Sequence, residues 1–404
     1  MPQHFPVQWH ITDTCDQRCK HCYIFAEGAP PVVTMPFKTC MRVVGQIDEL
    51  CTHLGMEPYV YLTGGDPILH PDFWRIMEAL HVRGMRVGIM GNPFHLTPEV
   101  CERLRSLGCV KYQLSLDGLR KTHDSFRKPG SFDATLAAIP VIQGAGMWAN
   151  VMTTVSATNA SEVPDLIDLV AELNVDVYAF GRYCPTSGQR AEEFHMEPLA
   201  YRELLLECQR RIANQTRLGA KTYFYKKDHL WKLLEWEQGT FAPPAGADPH
   251  VFHDGCHCGR GHLTVLPTGM VYACRRMESP VGDVTRESLC DVYFGERLGS
   301  YRDISLFEKC TACPLHGWCR GCPAVTYGYA GNRYAPIPSA GGSDVQGRVR
   351  EKSQAQAALW VVLAERGLAQ AAKKSEVLVR ADLVRAVDSC TVLVQDLAVV
   401  WVLD

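Results

Sequence analysis

The segment TDTCDQRCKHCYIF (residues 12–25) places Cys15, Cys19 and Cys22 in a C-x3-C-x2-C spacing. It directly follows VQWHIT (7–12), an apolar run that reads as a strand. Four thiolates close a structural zinc site or an ordinary iron–sulfur cluster; three leave one metal position open for chemistry. A thioredoxin-like redox pair of Cys19 and Cys22 leaves Cys15 unexplained. A c-type haem site needs histidine at position 23, which is tyrosine. Zinc needs a fourth ligand, for which His10 or His21 are the nearby choices. A [4Fe–4S] cluster with one open iron fits the trio best.

Downstream, short apolar runs alternate with helical patterns. YVYLTGG (59–65), MRVGIMGN (85–92), VKYQLSLDG (110–118), WANVMTTVS (148–156) and VDVYAFGR (175–182) repeat the strand signal. Amphipathic stretches near 37–54, 71–83, 97–107, 131–144 and 161–173 lie between them, and Pro98 and Pro164 sit where a first helical turn begins. Six βα repeats imply a parallel sheet, doubly wound or curled into a barrel, and polar motifs just after strands mark the catalytic end of such a barrel. Residues 1–185 are therefore expected as one α/β domain. Residues 186–250 read as a helical connector (helices near 197–214 and 226–237), 251–335 as a cysteine-rich domain with a hairpin in LTVLPTGMVYAC (263–274), and 336–404 as a linker and C-terminal extension.

The bulk composition excludes several classes. The chain has 404 residues, is 47% hydrophobic and 21% charged, and carries a formal net charge of −3. That balance points to a globular protein and away from nucleic acid or an anionic membrane. The start shows no signal-peptide pattern, and the apolar stretch TVLVQDLAVVWVLD (391–404) is too short to span a bilayer, so a cytoplasmic location is expected. Of eighteen cysteines, Cys15, Cys19 and Cys22 form one group, and Cys256, Cys258, Cys274, Cys310, Cys313, Cys319 and Cys322 form another. Without a secretory signal, metal or redox use is the better reading of them than disulfides.

C-x3-C-x2-C after the first strand of a βα repeat resembles the radical S-adenosylmethionine (SAM) superfamily. Other segments resemble that family's motifs in the same order. LTGGDP (62–67) is similar to its Gly-Gly-Glu segment, with Asp66 in place of Glu. SLDG (115–118), HDSFRKPGSFDAT (123–135) and TVSATN (154–159) follow the fourth and fifth strands. The resemblance covers roughly residues 8–330. It implies a partial (β/α)6 TIM-like barrel in which Cys15, Cys19 and Cys22 hold a [4Fe–4S] cluster whose open iron chelates SAM. Gly64, Gly65, Asp66, Ser115, Asp117, Arg127 and Asn159 are then the expected SAM contacts, with Arg127 suited to a carboxylate because its fork matches a planar anion. The implied chemistry is reductive SAM cleavage to a 5′-deoxyadenosyl radical that abstracts hydrogen from a C–H bond.

The second cysteine group resembles the SPASM domain, the auxiliary-cluster module of radical SAM enzymes that modify peptides and proteins. Ten residues separate Cys258 from Gly269, four more precede Cys274, and Cys310-x2-Cys313-x5-Cys319-x2-Cys322 follows. By analogy Cys256, Cys258, Cys274 and Cys322 close auxiliary cluster I, and Cys310, Cys313 and Cys319 hold auxiliary cluster II, giving three [4Fe–4S] clusters in all. The last spacing is x2 where the family has x3. No cysteine follows at the family's final position, where NRYAPIPSAGGSD (332–344) offers Ser339, Ser343 and Asp344. Cluster II is then left with an open iron or takes Asp344, Cys184 or Cys390 as its fourth ligand, and two zinc knuckles are the rival reading of the whole region.

The expected activity is oxidative cross-linking (thioether or C–C) of a ribosomally made, Cys-containing peptide. Alternatives are a sulfatase-maturing formylglycine-type enzyme, radical modification of a small molecule, or a non-enzymatic iron–sulfur electron-transfer scaffold. Sulfatase maturases carry an aspartate base directly after the G-x4-C cysteine; here Arg275 and Arg276 stand there. Asp254, Glu278 and Asp283 are the nearby acids. The expected partners are a precursor peptide and a reductant such as flavodoxin or ferredoxin. With the first strand starting near residue 7, leader recognition falls to the tail, to the basic, aromatic connector QRRIANQTRLGAKTYFYKKDH (209–229), or to a separate leader-binding protein.

Overall fold

The structure is a computed structural model that describes residues 4–335 apart from 27, 187–190 and 309. The extension at 336–404, with Ser339, Ser343, Asp344 and Cys390, lies outside the described residues.

All six expected strands form: β1 (His4–Thr12), β2 (Glu57–Gly64), β3 (Arg86–Met90), β4 (Cys109–Ser115), β5 (Trp148–Val155) and β6 (Val177–Arg182). They pair in parallel and in sequence order, the arrangement of a βα barrel rather than of a doubly wound sheet. The crossovers are α1 (Phe37–Leu54), α2 (Phe73–Val82), α3 (Pro98–Ser106), α4 (Arg120–Phe126) with α5 (Ser131–Gly144), and α6 (Val163–Glu172). Local chemistry sets their ends. Thr97 accepts a hydrogen bond from Val100 N–H to cap α3, ahead of Pro98 at its first turn. Gly55, at φ 62°, closes α1 in the left-handed conformation that glycine adopts without a Cβ clash.

Strand alternation sorts the side chains. Val7, Trp9, Ile11, Val60, Leu62, Val87, Ile89, Leu114 and Val151 are buried on one face of the sheet. The other face carries Gln8, His10, Thr63, Gln113, Ser115 and Thr154, so the inside of the curled sheet is polar.

The sheet is larger than the βα pattern announces. After α7 (Ala191–Phe194) and α8 (Pro198–Arg217), the connector contributes β7 (Tyr223–Tyr225), which adds in parallel to β6, and then α9 (Leu230–Glu237). Beyond α9, β8 (Leu263–Val265) joins β1 in parallel and turns back through β9 (Met270–Tyr272) to β10 (Pro280–Asp283). The expected hairpin is present, but as the far edge of one open ten-stranded sheet in the order β10-β9-β8-β1-β2-β3-β4-β5-β6-β7. α10 (Leu289–Phe294), α11 (Glu296–Gly299) and α12 (Pro323–Ala330) complete the described chain. Arg42 and Gln46 of α1 donate to the carbonyls of Thr285, Val284 and Glu287, tying the barrel's first helix to the segment before α10. No described helix is long and apolar enough to cross a membrane.

Inside the barrel, Lys111 of β4 is 7% exposed, with its ammonium 4.6 Å from the Tyr61 ring centre and 5.3 Å from that of Tyr59. Among the described residues no carboxylate pairs with it. Burial, reinforced by Arg86, lowers its pKa to about 7 from 10.5. The folded state thus disfavours the ammonium, and stability rises with pH between these two values because the unfolded chain holds the proton more tightly. Lys111→Met is expected to raise the melting temperature, with the full gain below pH 7 and a vanishing gain towards pH 10.5. Thermal melts across that range check it, and a destabilised variant at pH 6 would refute it.

Candidate functional site

At the carboxyl ends of the strands the barrel opens into a cavity of about 230 Å³. The loop after β1 supplies Cys15, Gln17, Cys19 and the run His21–Phe25. The strand ends supply Thr63–Gly65, Met90–Asn92, Gln113, Ser115, Met152, Thr154, Gly181 and Arg182. The three expected cysteines therefore share one cavity with most of the strand ends.

The glycine pair explains how the cysteine loop is held. A Cβ on Gly64, whose φ is 135°, falls 1.9 Å from Thr12 O, and one on Gly65 falls 2.3 Å from Thr14 O and 2.5 Å from Asp13 O. Gly65 N–H donates to Thr12 O (2.9 Å) and Asp66 N–H to Thr14 O (2.8 Å). The end of β2 thus lies backbone to backbone against the residues leading into Cys15, which only glycine allows.

The thiols have donors aimed at them. Asn92 Nδ2 lies 3.3 Å from Cys15 Sγ and also donates to Asp16 Oδ1 at 2.9 Å. Arg127 Nη1 lies 3.7 Å from Cys19 Sγ, while its Nε and Nη2 each reach Asp117 Oδ2 at 2.7 Å. Burial pushes the Cys19 thiol up to about 11, against the pull of Arg127. Deprotonation of the crowded thiols is unfavourable without a cation among them, which a bound metal supplies.

The expected SAM contacts divide into two sets. Gly64, Gly65, Ser115 and Arg127 line the cavity. Asp66, Asp117 and Asn159 are fully buried behind its wall. Asp66 caps the short 3-10 turn Pro67–Leu69, accepting from Ile68 N–H, and burial raises its pKa to about 6. Asp117 accepts from Thr154 N–H (2.8 Å) as well as from Arg127; burial opposes its charge, but Arg127 and His21 hold its pKa below the usual range. Asn159 Nδ2 donates to the carbonyls of Asp117 and Thr154, both at 2.9 Å, and its Oδ1 accepts from Ser156 N–H. Sequence spacing finds such residues but cannot tell a wall residue from the brace behind it. It also passes over Tyr23, Asn92, Arg182 and Lys227 as cavity residues, since nothing at their positions departs from strand or loop chemistry.

In the cysteine-rich region, Cys256, Cys258, Cys274 and Cys322 are all buried. Cys258 hydrogen bonds to Cys274 and lies beside Cys256, and these contacts push its pKa well up. Cys319 neighbours Cys310 and Cys313, and burial pushes its thiol up to about 12. Arg320 and Gly321, with φ 49° and 56°, turn the chain sharply between Cys319 and Cys322. Arg320 is 1% exposed, and its Nε and Nη2 have no hydrogen-bond partner. It lies over the rings of Phe252 and Phe307 and close enough to Cys258 to lower that thiol's pKa. A buried cation with orphaned donors beside clustered thiols fits an anionic thiolate-bound cluster.

The two cysteine regions meet at the cavity. Arg275 and Arg276, which follow Cys274, line it together with Cys184, one of the alternatives for the fourth ligand of cluster II. Arg276 Nη1 lies 3.8 Å from Cys322 Sγ, and its Nη2 donates to the carbonyl of Arg182. Arg275 Nη1 donates to Tyr23 Oη at 2.6 Å. Among the described residues no carboxylate lines the cavity, so Asp254, Glu278 and Asp283 stand outside it. The basic connector is also largely committed: Arg210 and Arg211 pair with Glu207, Asp165 and Asp168, and Tyr223–Tyr225 are strand β7.

Residues 9–181 match the family model of the radical SAM superfamily, and residues 256–323 match that of SPASM, an iron–sulfur cluster-binding domain. The AdoMet-dependent heme synthase of Methanosarcina barkeri is 27% identical over 335 residues, which is 81% of this chain and 93% of that protein. The mycofactocin maturase MftC of Mycobacterium ulcerans is 27% identical over 275 residues, 66% of this chain and 67% of that protein. Streptococcus suis SuiB bound to S-adenosylmethionine shares the fold, with a TM-score of 0.64 at 16% identity over 84% of this chain and 77% of that one.

The backbone contact beneath Cys15 gives a direct expectation. Gly65→Ala forces the cysteine loop off the end of β2, so reconstituted protein should hold less iron than the wild type and melt at a lower temperature. Iron quantitation and a thermal melt measure both, and a variant with wild-type iron content would contradict the role given to this contact.

Proposed function

As a member of the radical SAM superfamily with an appended SPASM domain, the chain is, we propose, a maturase that oxidises a ribosomally made, Cys-containing peptide, forming a thioether or C–C cross-link. Once bound at Cys15, Cys19 and Cys22, the cluster and SAM together supply a 5′-deoxyadenosyl radical for hydrogen abstraction. The observation that carries the oxidative part is the continuity of the cavity with the second cysteine region. Arg276 borders the cavity and touches Cys322 Sγ, so an electron leaving a substrate radical has a short way out. Cys256, Cys258, Cys274 and Cys322 are proposed for auxiliary cluster I and Cys310, Cys313 and Cys319 for cluster II. The total is three clusters and about twelve iron per chain. Gly64, Gly65 and Ser115 are proposed to contact SAM directly and Arg127 to face its carboxylate. Asp117 holds that guanidinium in place, and Asp66 and Asn159 hold the adjoining backbone. A flavodoxin or ferredoxin is the proposed electron donor.

The peptide reading draws on the likeness to a mycofactocin maturase, and Arg275 disfavours the sulfatase-type alternative by placing a cation where those enzymes hold a base. A second reading, a heme-precursor substrate, has its own support in the match to a heme synthase over 93% of that protein's length.

Dithionite-reduced, reconstituted protein should cleave SAM to 5′-deoxyadenosine, and Cys19→Ala should abolish this. Absence of the product from the wild type would remove the enzymatic reading. Co-expression with a candidate Cys-containing peptide should give a product lighter by two hydrogens per cross-link in mass spectrometry. An aldehyde with loss of the thiol would instead point to the formylglycine reaction. Cys322→Ser should reduce the yield of cross-linked peptide more than it reduces 5′-deoxyadenosine; equal losses would count against electron exit through this cysteine.

A further inference from the structure

The cavity wall has a one-sided charge. Arg127, Arg182, Lys227, Arg275 and Arg276 all border it, and among the described residues no Asp or Glu does. Two of these cations have carboxylates behind the wall. Arg127 pairs with Asp117, and Arg182 pairs with Asp228 through Nε (2.8 Å) and Nη2 (3.1 Å). Arg275 has no carboxylate partner among the described residues. Its Nη1 donates to the Tyr23 phenol, its guanidinium carbon lies 4.8 Å from the Tyr23 ring centre, and its buried Nε has no acceptor. Tyr23 Oη in turn lies 3.4 Å from His10 Nδ1, and burial keeps His10 neutral, so the prop beneath Arg275 carries no charge.

A guanidinium held by one nitrogen against a tyrosine, with a second nitrogen unsatisfied, is half of a planar fork waiting for an anion. Orphaned buried donors cost stability that a bound acceptor returns. We propose that Arg275 forms a carboxylate-binding subsite that anchors an acidic group of the substrate in the cavity. The proposal rests on the cavity being the substrate site of the reaction proposed above. The shared chemistry has two sources: an acidic side chain or C-terminus of a peptide, or a propionate of a tetrapyrrole.

Binding to the full-length reconstituted protein with SAM present tests this without turnover. Four probes suffice: coproporphyrin III and its tetramethyl ester, and a Cys-containing peptide with either aspartate or asparagine beside the cysteine. One of the acids should bind more tightly than its neutral counterpart, and Arg275→Gln should weaken that acid by about tenfold to a hundredfold while leaving the neutral probe unchanged. Arg275→Lys should keep the preference for the acid, which separates lost charge from failed folding. A preference for the porphyrin acid identifies a tetrapyrrole, and a preference for the aspartyl peptide identifies a peptide carboxylate. The proposal is overturned if neither acid is preferred, if Arg275→Gln leaves the preference intact, or if that variant instead loses affinity for SAM. Wild-type SAM cleavage is measured separately; its absence would sink the radical reaction while the binding result stood on its own.

Discussion

The approach of Gly64 and Gly65 to the backbone of Thr12–Thr14 is the contact on which the site depends. Two neighbouring parallel strands end at the same level, and the loop leaving the first must cross the end of the second to bring three thiols over the barrel mouth. Any Cβ on the second strand's last residues would occupy the space of a carbonyl oxygen. With that contact made, two further backbone hydrogen bonds fix the loop, and Asn92 and Arg127 reach Cys15 and Cys19 from the third and fourth βα units. The glycines serve the protein's own chain first, and any approach to a ligand second.

Charge is distributed as the cysteine chemistry demands. Thiolate-bound clusters are anionic, and the structure places guanidinium groups beside both regions: Arg127 at Cys19, Arg276 at Cys322 and Arg320 near Cys258. Inside the barrel the polarity is less expected. Lys111 sits between two tyrosine rings with no described carboxylate, a costly arrangement that the aromatic faces offset only in part.

The β8–β9 hairpin changes how the two halves are viewed. Because β8 pairs with β1, the cysteine-rich region begins as an extension of the barrel's own sheet. That edge connection, with the hydrogen bonds from α1 to the segment before α10, delivers Arg275 and Arg276 to the cavity. One continuous sheet fixes a distance that a flexible linker would leave variable.

Much of this was legible in the chain alone. The alternation of apolar strands and amphipathic helices specified six parallel strands, because each strand leaves a short apolar run and each crossover helix an amphipathic stretch in sequence. The C-x3-C-x2-C spacing marked the three thiols that the structure brings to one cavity. Tertiary structure alone decided which motif residues reach the cavity. Asp66, Asp117 and Asn159 stand in the same motifs as Gly64, Ser115 and Thr154, yet they face backbone and buried partners. Sequence carries the identity of a polar residue. Whether it meets a ligand or a neighbouring strand depends on contacts between segments far apart in the chain, and so does the cationic wall to which Arg275 belongs.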